Sequence, residues 1–79
     1  MTEFLDEAGR AWIATVRAQY STDYKGRYFF HLHEEGGPDD GVSLVDVRWN
    51  SLATAERALN TMSEVELRRR LRSALGRAS

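Results

Sequence analysis

The chain has 79 residues, 42% of them hydrophobic and 29% charged, with a formal net charge of −1 and no cysteine. A chain this short forms one domain, residues 1–79, and such a domain buries only about 60% of the surface its unfolded chain would expose. The near-zero charge excludes a general attraction to nucleic acid or anionic lipid, and the missing cysteines exclude disulfide supports and thiolate zinc, which fits a reducing, cytoplasmic setting.

No apolar run is long enough to span a bilayer, and the acidic start MTEFLDEAGR differs from the basic, then apolar, start of a secretory signal. Residues 3–9 read as a short acidic helix with Thr2 as N-cap and Gly9 near its end. Two readings compete for residues 11–21. Wound at about 100° per residue, Phe4, Leu5, Ala8, Trp12 and Val16 share one face while Glu3, Asp6, Glu7, Arg10 and Arg17 share the other, as in one long amphipathic helix. Wound at 180°, Trp12, Ala14, Val16, Ala18 and Tyr20 alternate with Thr15, Arg17, Gln19 and Ser21 in a stretch rich in β-branched and aromatic residues, as in a strand. Turn chemistry favours the strand. DYKGR resembles a three-residue hairpin loop in which Tyr24 and Lys25 make a type I turn and Gly26 takes the left-handed bulge position. That loop would pair Thr22 with Tyr28, Tyr20 with Phe30 and Ala18 with Leu32.

The next connection, EEGGPDDG, separates RYFFHLH from VSLVDVRWN. Symmetric closure would set Tyr28 opposite Trp49, Phe30 opposite Val47 and Leu32 opposite Val45. A one-residue slip would turn every side chain to the other face, so agreement of apolar parity in both hairpins argues for a three-stranded antiparallel meander. Beyond it, Leu52, Ala55, Leu59 and Met62 recur at helical spacing with Ser51 as N-cap. Ser63 and Glu66 then form an S-x-x-E capping box opening a second helix, whose stripe is Leu67, Leu71, Ala74 and Leu75. The expected fold is a two-layer α+β domain in the order α-β-β-β-α-α. Both C-terminal helices would pack on one sheet face, that of Trp12, Val16, Tyr20, Tyr28, Phe30, Leu32, Val45, Val47 and Trp49. The alternative is a long N-terminal helix, a two-stranded hairpin and two helices.

By the same alternation His31 and His33 face away from the helices, exposed, with Gln19 and Asp46 beside His31 and with Arg17 and Leu44 beside His33. His31, His33 and Asp46 would make a minimal three-ligand metal site, but Arg17 and Arg48 nearby would repel a divalent cation, and no metal or other cofactor is expected. A His31–Asp46 pair could orient a general base, yet Ser43 is expected on the core side, leaving no nucleophile, and an open sheet face lacks a water-excluding pocket. The acidic loop EEGGPDDG lacks the ligand spacing of a calcium loop. A patch of Ile13, Arg17, Phe29, His31, His33, Leu44 and Arg48 instead has the apolar centre and charged rim of a protein contact. The expected function is therefore that of a non-enzymatic protein-interaction module, with a second copy of the chain among its partners. The alternative is an accessory nucleic-acid-binding domain using Arg17, Phe29, Arg48 and the basic last-helix face of Arg68, Arg69 and Arg72.

Overall fold

The computed structural model describes residues 2–19, 26–37 and 41–78. Four strands, β1 (Thr2–Leu5), β2 (Ala11–Ala18), β3 (Tyr28–Glu34) and β4 (Val42–Trp49), precede two helices, α1 (Leu52–Thr61) and α2 (Glu64–Ala78). The strands form one antiparallel sheet in the order β1-β2-β3-β4, so the α+β class and the paired C-terminal helices are as expected, whereas the N-terminal helix is replaced by a fourth strand.

The cause lies in residues 6–10. Asp6 Oδ1 accepts from the backbone N–H groups of Ala8 and Arg10, both at 2.9 Å, and Oδ2 accepts from Trp12 Nε1 at 2.9 Å. The Gly9 N–H closes on the Asp6 carbonyl at 3.1 Å, with Gly9 at φ 83, a conformation any side chain would penalise. An aspartate that satisfies its own turn in this way opposes helix continuation. The chain reverses, and Phe4 pairs with Trp12 and Leu5 with Ala11.

Residues 11–18 are a strand, which excludes the long N-terminal helix. Its pairing with β3 is displaced by four residues from the expected one: Ala18 meets Tyr28, Val16 meets Phe30 and Ala14 meets Leu32. An even displacement preserves facing, so the even-numbered residues of β2 and β3 still look toward the helices. The expected pairs of Tyr20 and Thr22, and the turn at Tyr24 and Lys25, lie outside the described residues. Gly26 has the anticipated positive φ of 86, and a Cβ there would collide with the Trp49 carbonyl.

The β3–β4 hairpin departs in a way that does change facing. Tyr28 meets Trp49 as expected, but Phe30 meets Leu44, His31 meets Ser43 and Leu32 meets Val42, with a register shift between Tyr28 and Phe30. Between these pairs one β3 residue opposes four on β4, so β4 carries three extra residues as a bulge and its parity inverts. Leu44 is consequently 2% exposed in the core, whereas Val45 and Val47, expected inside, are 46% and 37% exposed.

Both helices start as expected. Ser51 caps α1, its side chain accepting from the Thr54 N–H at 3.3 Å. Ser63 Oγ accepts from the Glu66 N–H at 3.2 Å, whereas the Glu66 carboxylate turns to Arg69 and Arg70. Ala55 and Leu59 of α1, with Leu67, Leu71 and Ala74 of α2, pack on Phe4, Trp12, Ala14, Phe30, Leu32 and Leu44. The largest side chains with almost no exposure are Phe30, Leu32, Leu59 and Leu67, and burial stabilises the fold by about 1.5–3 kcal/mol for each. Leu52 and Leu75 are corrections to the expected stripes, since both are exposed. Among the described residues, no helix is long and apolar enough to cross a membrane.

Candidate functional site

Two surfaces compete for the role of site. The first is the sheet face turned away from the helices. There Thr15 of β2, His31 of β3 and Ser43 of β4 form a row across three strands, flanked by Ile13 beside His33 and by Arg17 beside Phe29. His31 is 3% and Phe29 8% exposed, against the expectation that both were open to solvent. Ile13, Arg17, His33 and Arg48 are half-buried. Of the seven residues proposed from sequence for a contact patch, Leu44 belongs to the core, Phe29 and His31 are sealed, and only four retain a partly open surface.

The bulge in β4 explains the new neighbours of His31. It brings Ser43 rather than Asp46 opposite, with His31 Nδ1 and Ser43 Oγ at 2.9 Å. Thr15 rather than Gln19 is the β2 partner, and the Thr15 hydroxyl is buried without a hydrogen-bond partner. The His31 and His33 rings lie 6.1 Å apart. Among the described residues no group of three or more His, Cys, Asp or Glu converges as a metal site would require. Ser43 was expected to face the core, so the structure supplies a hydroxyl beside the imidazole that sequence reasoning had excluded. Arg48 Nε, meanwhile, donates to the Val45 carbonyl within its own strand at 3.2 Å.

The second surface runs along α2 beside the β1–β2 turn. Arg68 Nε donates to the Leu5 carbonyl at 2.7 Å and Glu64 Oε2 accepts from the Leu5 N–H at 3.1 Å, so side chains from α2 occupy the backbone of Leu5 on an edge strand. The basic face expected of Arg68, Arg69 and Arg72 exists as sequence but not as free charge. Arg68 pairs with Glu64 at 2.6 Å, Arg69 and Arg70 with Glu66 at 3.2 Å each, and Arg72 with Glu7 at 2.8 Å. Two adjoining clefts share Glu7, Arg68 and Arg72. One, of about 230 Å3, is lined further by Asp6, Ala8, Leu71 and Leu75; the other, of about 200 Å3, by Val65 and Arg69. Val65 is 60% and Leu75 44% exposed.

Asp6 anchors the wall of the larger cleft. The Arg10 backbone N–H above all, then the Trp12 indole N–H, hold its carboxyl below the usual aspartate range. Sequence reasoning found only the basic part of this surface, Arg68, Arg69 and Arg72, and missed its apolar part. The signal for the apolar part was Val65, an apolar residue off the buried stripe in the charge-rich run SEVELRRR.

Comparison with family models, with curated proteins and with solved structures gave no match. The two surfaces must therefore be weighed on their own chemistry.

Proposed function

We propose that the protein is a non-enzymatic protein-interaction module, working in a reducing compartment such as the cytoplasm, with a second copy of itself among its partners. The observation that carries this reading is the exposure of Val65, Leu75 and Leu5 around the α2 flank, next to a cleft that Ala8, Leu71 and Leu75 line together with Asp6, Glu7, Arg68 and Arg72. Large apolar side chains held open at a polar-rimmed cleft favour a macromolecular contact over water. The contact surface so proposed differs from the sheet patch expected from sequence, because Phe29 and His31 have little surface left to offer.

The nucleic-acid reading draws less support. Each of Arg68, Arg69, Arg70 and Arg72 already has a carboxylate partner, and a phosphate would have to displace it. An enzyme reading would rest on His31 and Ser43, but neither cleft at the α2 flank includes them. Titration with single- and double-stranded oligonucleotides across a salt series, beside sedimentation of the protein alone, tests the choice. Concentration-dependent association without oligonucleotide binding is the expected result. A strictly monomeric protein that binds oligonucleotides with a steep salt slope would replace this reading with the nucleic-acid one.

A further inference from the structure

We propose that Glu64 and Arg68 form a side-chain clamp that takes the place of a further strand at Leu5 and holds the β1 edge of the sheet closed to pairing with the same edge of another copy of the chain.

β1 is an outermost strand of the sheet, and an outermost strand presents unpaired N–H and C=O groups on which another chain can build a ladder. In antiparallel pairing a residue either exchanges both backbone bonds with its neighbour or turns both away, and the two states alternate. Leu5 turns both away from β2: its N–H donates to Glu64 Oε2 at 3.1 Å, and its carbonyl accepts from Arg68 Nε at 2.7 Å. Arg68 Nη2 donates to Glu64 Oε1 at 2.6 Å and so closes the ring. The N–H and C=O of one residue are thus satisfied together, as a partner strand would satisfy them. Carboxylate and guanidinium offset each other, so the clamp adds no net charge to the edge.

Spacing and side-chain chemistry both serve this arrangement. Glu64 and Arg68 stand four residues apart on α2 and are therefore neighbours on its surface. A guanidinium presents separate nitrogens to Leu5 and Glu64 in one plane, a geometry that a lysine ammonium lacks. The consequence follows from the length of β1. Within Thr2–Leu5, alternation turns only Glu3 and Leu5 outward, and the Asp6 N–H beyond them bonds back to the Arg10 carbonyl at 2.9 Å. With Leu5 occupied, Glu3 alone remains, too little for a ladder. With the clamp removed, two outward residues and the exposed Leu5 side chain are open together. The opposite edge, β4, is protected by other means, since its register shifts and bulges interrupt edge-to-edge pairing.

Hydrogen exchange and sedimentation equilibrium of the full chain test the clamp, comparing wild type with the double variant Glu64→Ala/Arg68→Ala. Both side chains are partly exposed and alanine favours the helix, so circular dichroism should report an unchanged fold. In wild type the Leu5 amide should exchange at least about tenfold more slowly than the Glu3 amide, and the double variant should lose that protection. The double variant should also associate at least about tenfold more tightly than wild type. Adding Glu3→Pro, which removes the other outward N–H and leaves the β1–β2 ladder intact, should abolish that gain. A wild-type Leu5 amide exchanging as fast as that of Glu3 would overturn the clamp itself. A double variant that frees Leu5 without gaining association, or whose gain survives Glu3→Pro, would overturn its guarding role. Glu3 lines neither cleft at the α2 flank, so wild-type association there should be indifferent to Glu3→Pro, and the protein-interaction reading stands or falls separately.

Discussion

Replacing Leu44 by alanine, beside Val45 by alanine, probes the point on which the architecture of the third hairpin turns. Leu44 is almost fully buried among Phe30, Leu32 and the helices, whereas its neighbour Val45 is nearly half exposed. Truncating a buried leucine removes the transfer free energy of its methyl groups and leaves a cavity that the surroundings fill only in part, a loss of about 2–5 kcal/mol. A domain of this length has a total stability of about 4–12 kcal/mol, so the loss is a large share of the whole. Because small domains shift by about 4–8 °C per kcal/mol, the midpoint should fall by at least about 8 °C. Val45→Ala truncates a side chain already nearly half in water and should cost no more than about 1 kcal/mol. Urea and thermal unfolding followed by circular dichroism measure both. If Val45→Ala proves as costly as Leu44→Ala, or if Leu44→Ala is nearly neutral, β4 keeps the symmetric register and the bulge is refuted.

Further outcomes concern the turns and the polar row. The Asp6 carboxyl is held below its usual range, so its contribution is fully present above the unfolded value and is lost as pH falls through the lower folded one. The stability gap between wild type and Asp6→Asn should therefore be flat near neutrality and close only below the ordinary aspartate range; a gap closing well above that range would contradict the turn. A Cβ at Gly41, which has φ 32, would overlap the Leu32 carbonyl and His33, so Gly41→Ala should destabilise by about 2 kcal/mol or more. Gly76 lies in α2, and a Cβ added there meets nothing within 4 Å; Gly76→Ala should add about 0.5–1 kcal/mol to the unfolding free energy. Ser43→Ala removes the hydroxyl bonded to buried His31 and should cost about 1–3 kcal/mol in chemical denaturation; a neutral result would mean that the pair does not form.

Legibility of the fold followed the range over which a periodic signal persists. β2 and β3 were readable because Trp12, Ala14, Phe30 and Leu32 alternate through seven or eight residues, and the facing survived a four-residue error in pairing. β1 has only four residues, too few for alternation to outweigh the helical spacing of Phe4, Ala8 and Trp12. Its true signal was the turn chemistry of Asp6 and Gly9, whose bonds to Ala8, Arg10 and Trp12 only a structure displays. The β4 bulge leaves no trace in VSLVDVRW, since Leu44 and Val45 are equally apolar and either can fill the core position. That single ambiguity moved Leu44 off the candidate patch and put Ser43 in the place of Asp46. Clustering arginines on α2 was visible as composition, and the pairing of Arg68, Arg69 and Arg70 with Glu64 and Glu66 follows the three- and four-residue spacing within the helix; only the Arg72–Glu7 pair depends on how the helix and the first hairpin meet.

Amide spectra of uniformly 15N-labelled protein over a dilution series locate the contact surface without any substitution. Concentration-dependent shifts confined to Glu7, Ala8, Val65, Arg68, Arg72 and Leu75 are the expected result. Shifts centred on Ile13, Arg17, His33 and Arg48 instead would return the contact to the sheet face and contradict the account.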